Sequence, residues 1–167
     1  MLRIRPERAE DVDAIRRIIE RAFAGQTHSN QTEHQLVDAL RTAGALSASL
    51  VAEQAGEIIG HIAFSAVQIN GRDCGWFGLA PLAVSPSHQR QGVGKKLIAA
   101  GLGQLDTLGA QGCVVLGDPA YYARFGFRPR AGLFLDQVPA EYFMAHTVTD
   151  PCPQGSVSFH PAFALCG

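Results

Sequence analysis

The segment Leu82-Ala83-Val84-Ser85-Pro86-Ser87-His88-Gln89-Arg90-Gln91-Gly92-Val93-Gly94-Lys95-Lys96-Leu97 constrains this chain more than any other. An apolar run ends in a proline-containing turn, and two glycines then open a helical pattern with apolar positions at Val93, Leu97, Leu102, Leu105 and Leu108. The first turn of such a helix leaves N–H groups free and carries the positive end of the dipole, which suits an anion. Gly92 and Gly94 remove side chains, so a phosphate can touch the backbone, and Arg90, Lys95 and Lys96 add positive charge. The chemistry indicated is pyrophosphate or phosphate binding. It is not that of a Walker loop, because Gln89 stands where glycine is needed and Lys96 where Ser or Thr is needed. It is not a dinucleotide fingerprint either, because Leu97 replaces the third glycine.

The rest of the chain predicts an α/β order around that unit. Residues 2–5 alternate as a short strand, and residues 10–23 show helical spacing through Val12, Ile15, Ile19, Ala22 and Phe23, with Glu10, Asp11 and Asp13 in the first turn. A second helix is expected over 31–41, ended by Gly44. Residues 49–54 and 57–69 read as strands joined at Ala55-Gly56, Asn70-Gly71 makes a second turn, and 76–84 reads as a third strand. Pro81 within that strand donates no ladder hydrogen bond, which predicts a bulge or an edge. The helix from Val93 closes at Gly109, and 113–116 is a wholly apolar strand of the kind covered on both faces. Pro119 starts a helix to about residue 124. A short helix over 140–145 and a last strand over 156–163 complete the order β-α-α-β-β-β-α-β-α-β. No repeat or linker divides residues 1–167, so one domain is expected.

Composition removes several classes. A chain of 167 residues that is 47% hydrophobic and 17% charged buries a core and is not disordered. A net charge of −1 argues against a nucleic-acid surface. No apolar run approaches the roughly 20 residues that cross a bilayer, and Met1-Leu2-Arg3-Ile4-Arg5-Pro6 has no apolar signal core, so a cytoplasmic location is expected. Cys74, Cys113, Cys152 and Cys166 form no CxxC pair, and His28, His34, His88, His146 and His160 share no ligand spacing, so no metal site is expected.

Gln89-Arg90-Gln91-Gly92-Val93-Gly94 resembles the Q/R-x-x-G-x-G/A loop of the GNAT superfamily of acyl-CoA-dependent N-acetyltransferases, and Leu82 to Pro86 resembles the strand before it. Tyr121-Tyr122-Ala123-Arg124-Phe125-Gly126-Phe127 is similar to the family's Tyr-x-x-x-Gly-Phe motif. The run Leu116 to Tyr122, the stretch Glu33 to Arg41 and the tail Pro161-Ala162-Phe163 resemble the YhbS-like subgroup. The likeness covers essentially the whole chain. It implies a mixed, mostly antiparallel, twisted sheet flanked by helices, with two parallel strands splaying into a V-shaped cleft. It implies acetyl-CoA as co-substrate, pantetheine on the backbone of Leu82, Ala83 and Val84, and pyrophosphate over Gln89, Arg90, Gln91, Gly92, Val93, Gly94 and Lys95. Direct transfer to a small-molecule or peptide amine is implied, with no nucleic acid or membrane partner, and a homodimer is common for the fold. One departure matters. Val115 replaces a frequent asparagine, and residues 113–116 contain no acid to serve as base.

Tyr122 stands at the motif position whose hydroxyl would protonate the departing thiolate, with Tyr121 as packing or a wall of the acyl pocket. Glu33 stabilises a helix start by charge alone, while the subgroup likeness implies a role on the acceptor side. Asp118 before Pro119 reads as an N-cap, His61 as a satisfied strand histidine, and Cys113 as a buried small hydrophobe. The polar stretch Gln26, Thr27, His28, Ser29, Asn30, Gln31 reads as a pocket lining or a solvated loop. A non-catalytic acyl-CoA sensor on the same fold is the alternative reading, favoured by the missing strand acid.

Overall fold

The structure, a computed structural model, describes residues 1–27, 29–148 and 151–166; His28 therefore lies outside the described residues. Strand β1 (Leu2–Pro6) leads through a 3-10 turn into helix α1 (Val12–Phe23), followed by α2 (Glu33–Thr42). Strands β2 (Ala48–Gln54), β3 (Glu57–Ile69) and β4 (Arg72–Val84) run antiparallel in succession. Helix α3 (Val93–Thr107) crosses over to β5 (Gly112–Leu116), which pairs parallel to β4. Then come α4 (Pro119–Tyr122), β6 (Leu133–Phe134), β7 (Phe143–Thr147), β8 (Gly155–Ser158) and α5 (Ala162–Cys166). The sheet order is β1-β2-β3-β4-β5-β7, with β8 pairing β3 and β6. The sheet is mixed and mostly antiparallel, as expected.

Two apolar layers hold it. On one face Leu50, Ala52, Ile62, Phe64, Leu79, Cys113 and Val115 pack against Val93, Leu97, Ile98 and Leu105 of α3. On the other, Val51, Ile58 and Ala83 meet Ile15, Ile18, Ile19 and Ala22 of α1. Each large side chain so buried contributes about 1.5–3 kcal/mol. Asp11, expected as a first-turn acid, instead precedes α1 and is buried against Arg5, which donates to both its oxygens at 2.7 and 3.1 Å. The hydrogen bonds to Asp11 and Glu53 raise the Arg5 guanidinium further, so the pair is ionised throughout the ordinary pH range.

Pro81 behaves as its missing N–H dictates. The β3–β4 register jumps from Ile62↔Leu82 to Phe64↔Leu79, so Ala80 and Pro81 together oppose Ala63 in a bulge. Other expectations need correcting. Helix α2 begins at Glu33 rather than 31, because Gln31 has φ +65. Strand β4 begins at Arg72 rather than 76, since the Asn70-Gly71 turn pairs Arg72 with Ile69 at once. The helix expected over 140–145 is a 3-10 turn (Ala140–Tyr142) followed by β7. Phe143, Met144 and Ala145 are buried consecutively because β7 is covered on both faces and completes the β5 edge. The last strand stops at Ser158 rather than 163, and Ala162 and Phe163 pack on Leu36 and Leu40 of α2 instead.

Candidate active site

Strands β4 and β5 pair only over Trp76↔Gly112, Phe77↔Cys113 and Gly78↔Val114. Beyond that point β4 keeps β3 along one edge, through Ile62↔Leu82, His61↔Ala83 and Gly60↔Val84, while β5 keeps β7. Among the described residues the facing edges have no strand partner, so alternate backbone groups of β4 are available to a ligand. At the fork the Leu79 backbone hydrogen-bonds the Cys113 thiol, and burial pushes that thiol up, so it stays protonated. A cleft of about 640 Å³ opens beyond the fork. Leu82 and Val84 form its β4 wall, Tyr121 and Arg124 the opposite wall, and Phe23 and Gln26 from the end of α1 contribute a third side.

The glycine loop lies at the mouth. Gly92 caps α3 with φ +83, and nothing stands within 4 Å of where its Cβ would be, so its glycine is required by backbone conformation. Gly94 has a different reason. A Cβ there would run into the Tyr121 hydroxyl, which reaches across from the α4 side. The first intrahelical bond of α3 runs from Lys96 N–H to Gly92 O, which leaves the preceding N–H groups at the mouth. Arg90 sits beside them with φ +64, and Gln89 ties the loop to β4 by donating to Val84 O at 3.2 Å.

Of the residues expected at the site, Leu82, Val84, Gln89, Arg90, Gly92, Val93, Gly94, Lys95 and Tyr121 line this cleft. The side chain of Ala83 faces the other way, into the α1 layer. Gln91 is exposed beside the loop, its amide 3.5 Å from Ser87 O. Tyr122 lies behind Tyr121, edge-on to it at 5.0 Å and to Phe127 at 5.9 Å. Burial, with Tyr121, Cys113 and Asp118 adding to it, pushes the Tyr122 hydroxyl well above the usual tyrosine range. Glu33 is half-buried at the start of α2, accepting from the Ser29 hydroxyl at 2.6 Å, and is not in the cleft lining. Asp118 caps α4 by accepting from Ala120 N–H at 2.9 Å. Sequence reasoning missed Ala22, Phe23, His88 and Arg124 as lining residues, while Gln26 takes the pocket side of the two readings open to its polar stretch. Arg124 was within reach, since it stands inside the second motif, whereas nothing in sequence marked the end of α1.

A half-buried polar chain runs from Arg41 of α2 through Glu7 to Ser49 of β2 and the buried His61 of β3. The Ser49 hydroxyl donates to Glu7 and lies 2.8 Å from His61 Nε2, while Arg41 donates twice to Glu7 at 2.9 Å. A serine has one hydrogen, and a carboxylate only accepts. His61 Nε2–H must therefore donate to Ser49, which leaves Nδ1 bare, buried and without a partner among the described residues. Burial lowers the imidazole to about 4, so it is neutral at pH 7. The expected satisfied histidine is satisfied on one nitrogen only. Among the described residues, no group of three or more His, Cys, Asp or Glu side chains could hold a metal ion, and no helix is long and apolar enough to cross a membrane.

A forked pair of parallel strands, with a glycine-opened helix at the mouth, defines a GNAT acetyltransferase, and the chain belongs to that family: the acetyltransferase (GNAT) domain matches residues 45–129. It is 41% identical over 125 residues to YhbS of Escherichia coli (strain K12), described as an uncharacterized N-acetyltransferase, covering 74% of this chain and 72% of that protein. A GNAT family acetyltransferase from Brucella melitensis, solved in complex with acetyl-CoA, is 47% identical with a TM-score of 0.88, covering 98% of each chain. The E. coli YhbS structure in complex with CoA is 35% identical with a TM-score of 0.90, covering 98% of this chain and 92% of that one.

Proposed function

We propose that residues 1–167 form one acetyl-CoA-dependent N-acetyltransferase domain that transfers acetyl directly to the primary amine of a small molecule or peptide. The observation that carries this reading is the fork itself. It leaves backbone groups of β4 free along an edge that runs straight to the N-terminus of α3 and its cations. Both features suit CoA: an extended amide-bearing arm can pair with a free strand edge, and phosphates with a helix start. The relatives solved with acetyl-CoA and CoA support the same donor.

Acetyl-CoA supplies the electrophilic thioester carbonyl. Backbone N–H groups of β4 near Leu82 polarise that oxygen, and Gly92, Val93, Gly94 and Lys95 hold the phosphates. Tyr121 and Leu82 shield the reacting end from water. The Tyr122 hydroxyl, still protonated at neutral pH, carries the proton for the departing thiolate. Glu33, at the head of α2, serves the acceptor side by charge. The attacking amine must be neutral, because an ammonium has no lone pair; a base or an ordered water therefore takes the amine's proton as the N–C bond forms and the C–S bond to CoA breaks.

One observation favours the sensor alternative: none of the cleft-lining residues is a carboxylate. A screen of acetyl-CoA consumption over polyamines, amino acids, aminoglycosides and N-terminal peptides decides. Release of CoA dependent on one amine establishes the enzyme. CoA binding without turnover on any class leaves the sensor, and no CoA binding overturns both.

A further inference from the structure

We propose that Arg124 binds a phosphate of the acyl donor's nucleotide from the α4 side of the cleft, opposite the cations of the α3 loop; this rests on the acetyl-CoA reading above. Arg124 lines the same cleft as Arg90 and Lys95 but is carried by the 3-10 turn (Ala123–Phe125) that follows α4. Its chemistry separates it from the other well-placed arginines. Arg5, Arg16 and Arg41 each sit against carboxylates at 2.7, 3.0 and 2.9 Å. Among the described residues Arg124 is in no such ion pair.

Although exposed, its guanidinium is braced against the protein. The guanidinium lies 4.9 Å from the centroid of the Tyr121 ring and 5.3 Å from that of Phe125, and Nε donates to Tyr121 O at 3.4 Å. Stacking and one hydrogen bond together hold the flat group while its terminal nitrogens stay uncommitted to that bond. Such a planar fork matches a phosphate, and being held in advance reduces the entropy lost on binding.

The ring that carries Arg124 also spans the cleft. The Tyr121 hydroxyl occupies the space that a Cβ on Gly94, in the first turn of α3, would need. Arg124 on Tyr121, and Tyr121 on Gly94, therefore make an arch that sets one cationic wall against the other. An anion between them touches both halves of the V. Arg90 and Lys95 act from one side and Arg124 from the other, so the nucleotide end of the donor, rather than its pantetheine arm, closes the circuit.

Calorimetry of CoA with the wild-type chain, Arg124→Ala and Arg124→Lys tests this, with 3′-dephospho-CoA as a second ligand. A charge-assisted hydrogen bond predicts about a 10- to 100-fold loss of CoA affinity in Arg124→Ala. Arg124→Lys, which keeps the charge and loses the planar stack, should recover part of that loss. A penalty that disappears with 3′-dephospho-CoA assigns the contact to the 3′-phosphate, and one that persists assigns it to the diphosphate. CoA affinity in Arg124→Ala within twofold of wild type overturns the proposal, as does Arg124→Lys binding no better than Arg124→Ala. Failure of the wild-type chain to bind CoA overturns the acetyl-CoA reading itself.

Discussion

The two ends of the β4–β5 pair are made of similar apolar residues and do opposite things. At the closed end, Trp76, Phe77 and Gly78 pair with Gly112, Cys113 and Val114, and Trp76 is buried on the face of Gly112. At the open end, Leu82 and Val84 line a cleft and have no β5 partner. What differs is the supply of backbone partners. An unpaired edge deep in a core would be costly, but one that faces a cleft is a ready set of donors and acceptors for an extended ligand. The closed end provides stability so that the open end can stay open.

The largest expected effect is chemical. Tyr122→Phe keeps the ring against Gly117 and Phe127 but removes the proton; kcat on the true acceptor should fall roughly 10²–10⁴-fold with acetyl-CoA affinity unchanged, and Tyr121→Phe should do less. Full kcat in Tyr122→Phe would make its hydroxyl structural.

Next comes the pH response of the polar chain around His61. His61 titrates at about 4 in the fold against an ordinary value of 6.5. Between those values the unfolded chain binds a proton that the folded chain refuses, so stability falls as pH drops from 6.5 to 4, by on the order of 3 kcal/mol. Glu7 acts in the same direction: burial pushes it up, but hydrogen bonds from Arg41 and Ser49 outweigh that and hold it below the usual carboxylate range. Urea titrations across this window should show a shallower slope in His61→Gln. An unchanged slope would mean that His61 is not the refused site.

Opening the comparison at the mouth should cost somewhat less. Gly94→Val drives the Tyr121 hydroxyl off the α3 turn and fills the space beside the loop, so CoA affinity should drop about 100-fold, roughly 2.7 kcal/mol, with the melting temperature little changed. At the closed end the same kind of change should do the reverse. Gly112→Ala places a Cβ against three atoms of the buried Trp76 ring, which should lower stability by about 1–3 kcal/mol and leave the CoA affinity of the folded fraction intact. If Gly112→Ala weakened CoA binding as much as Gly94→Val, the two ends would not be separable.

Legibility followed how locally each feature is encoded. The β2–β3 and β3–β4 hairpins were readable because Ala55-Gly56 and Asn70-Gly71 adopt the positive φ values that such turns need. The glycine-opened start of α3 was readable because an apolar run, a proline turn, two glycines and a helical pattern follow one another within a few residues. Strand β7 was not, because Phe143-Met144-Ala145 is apolar without a period, and only the free edge of β5 decides that it extends. A second reason for Gly94 was not legible: it depends on Tyr121, 27 positions further along the chain. Phe23 reads from the sequence only as an apolar helix position, and the packing of α1 over Ala83 brings it to the cleft beside Gln26.

Amide-resolved NMR during an acetyl-CoA titration tests whether the open edge of β4 receives the donor. Shifts are expected at Leu82, Val84 and Gly92 to Lys95, with slower hydrogen exchange on the open stretch of β4, and no change at Trp76, Phe77 and Gly78. Shifts centred on the closed end, or a response that leaves Leu82 and Val84 untouched while CoA binds, would contradict it.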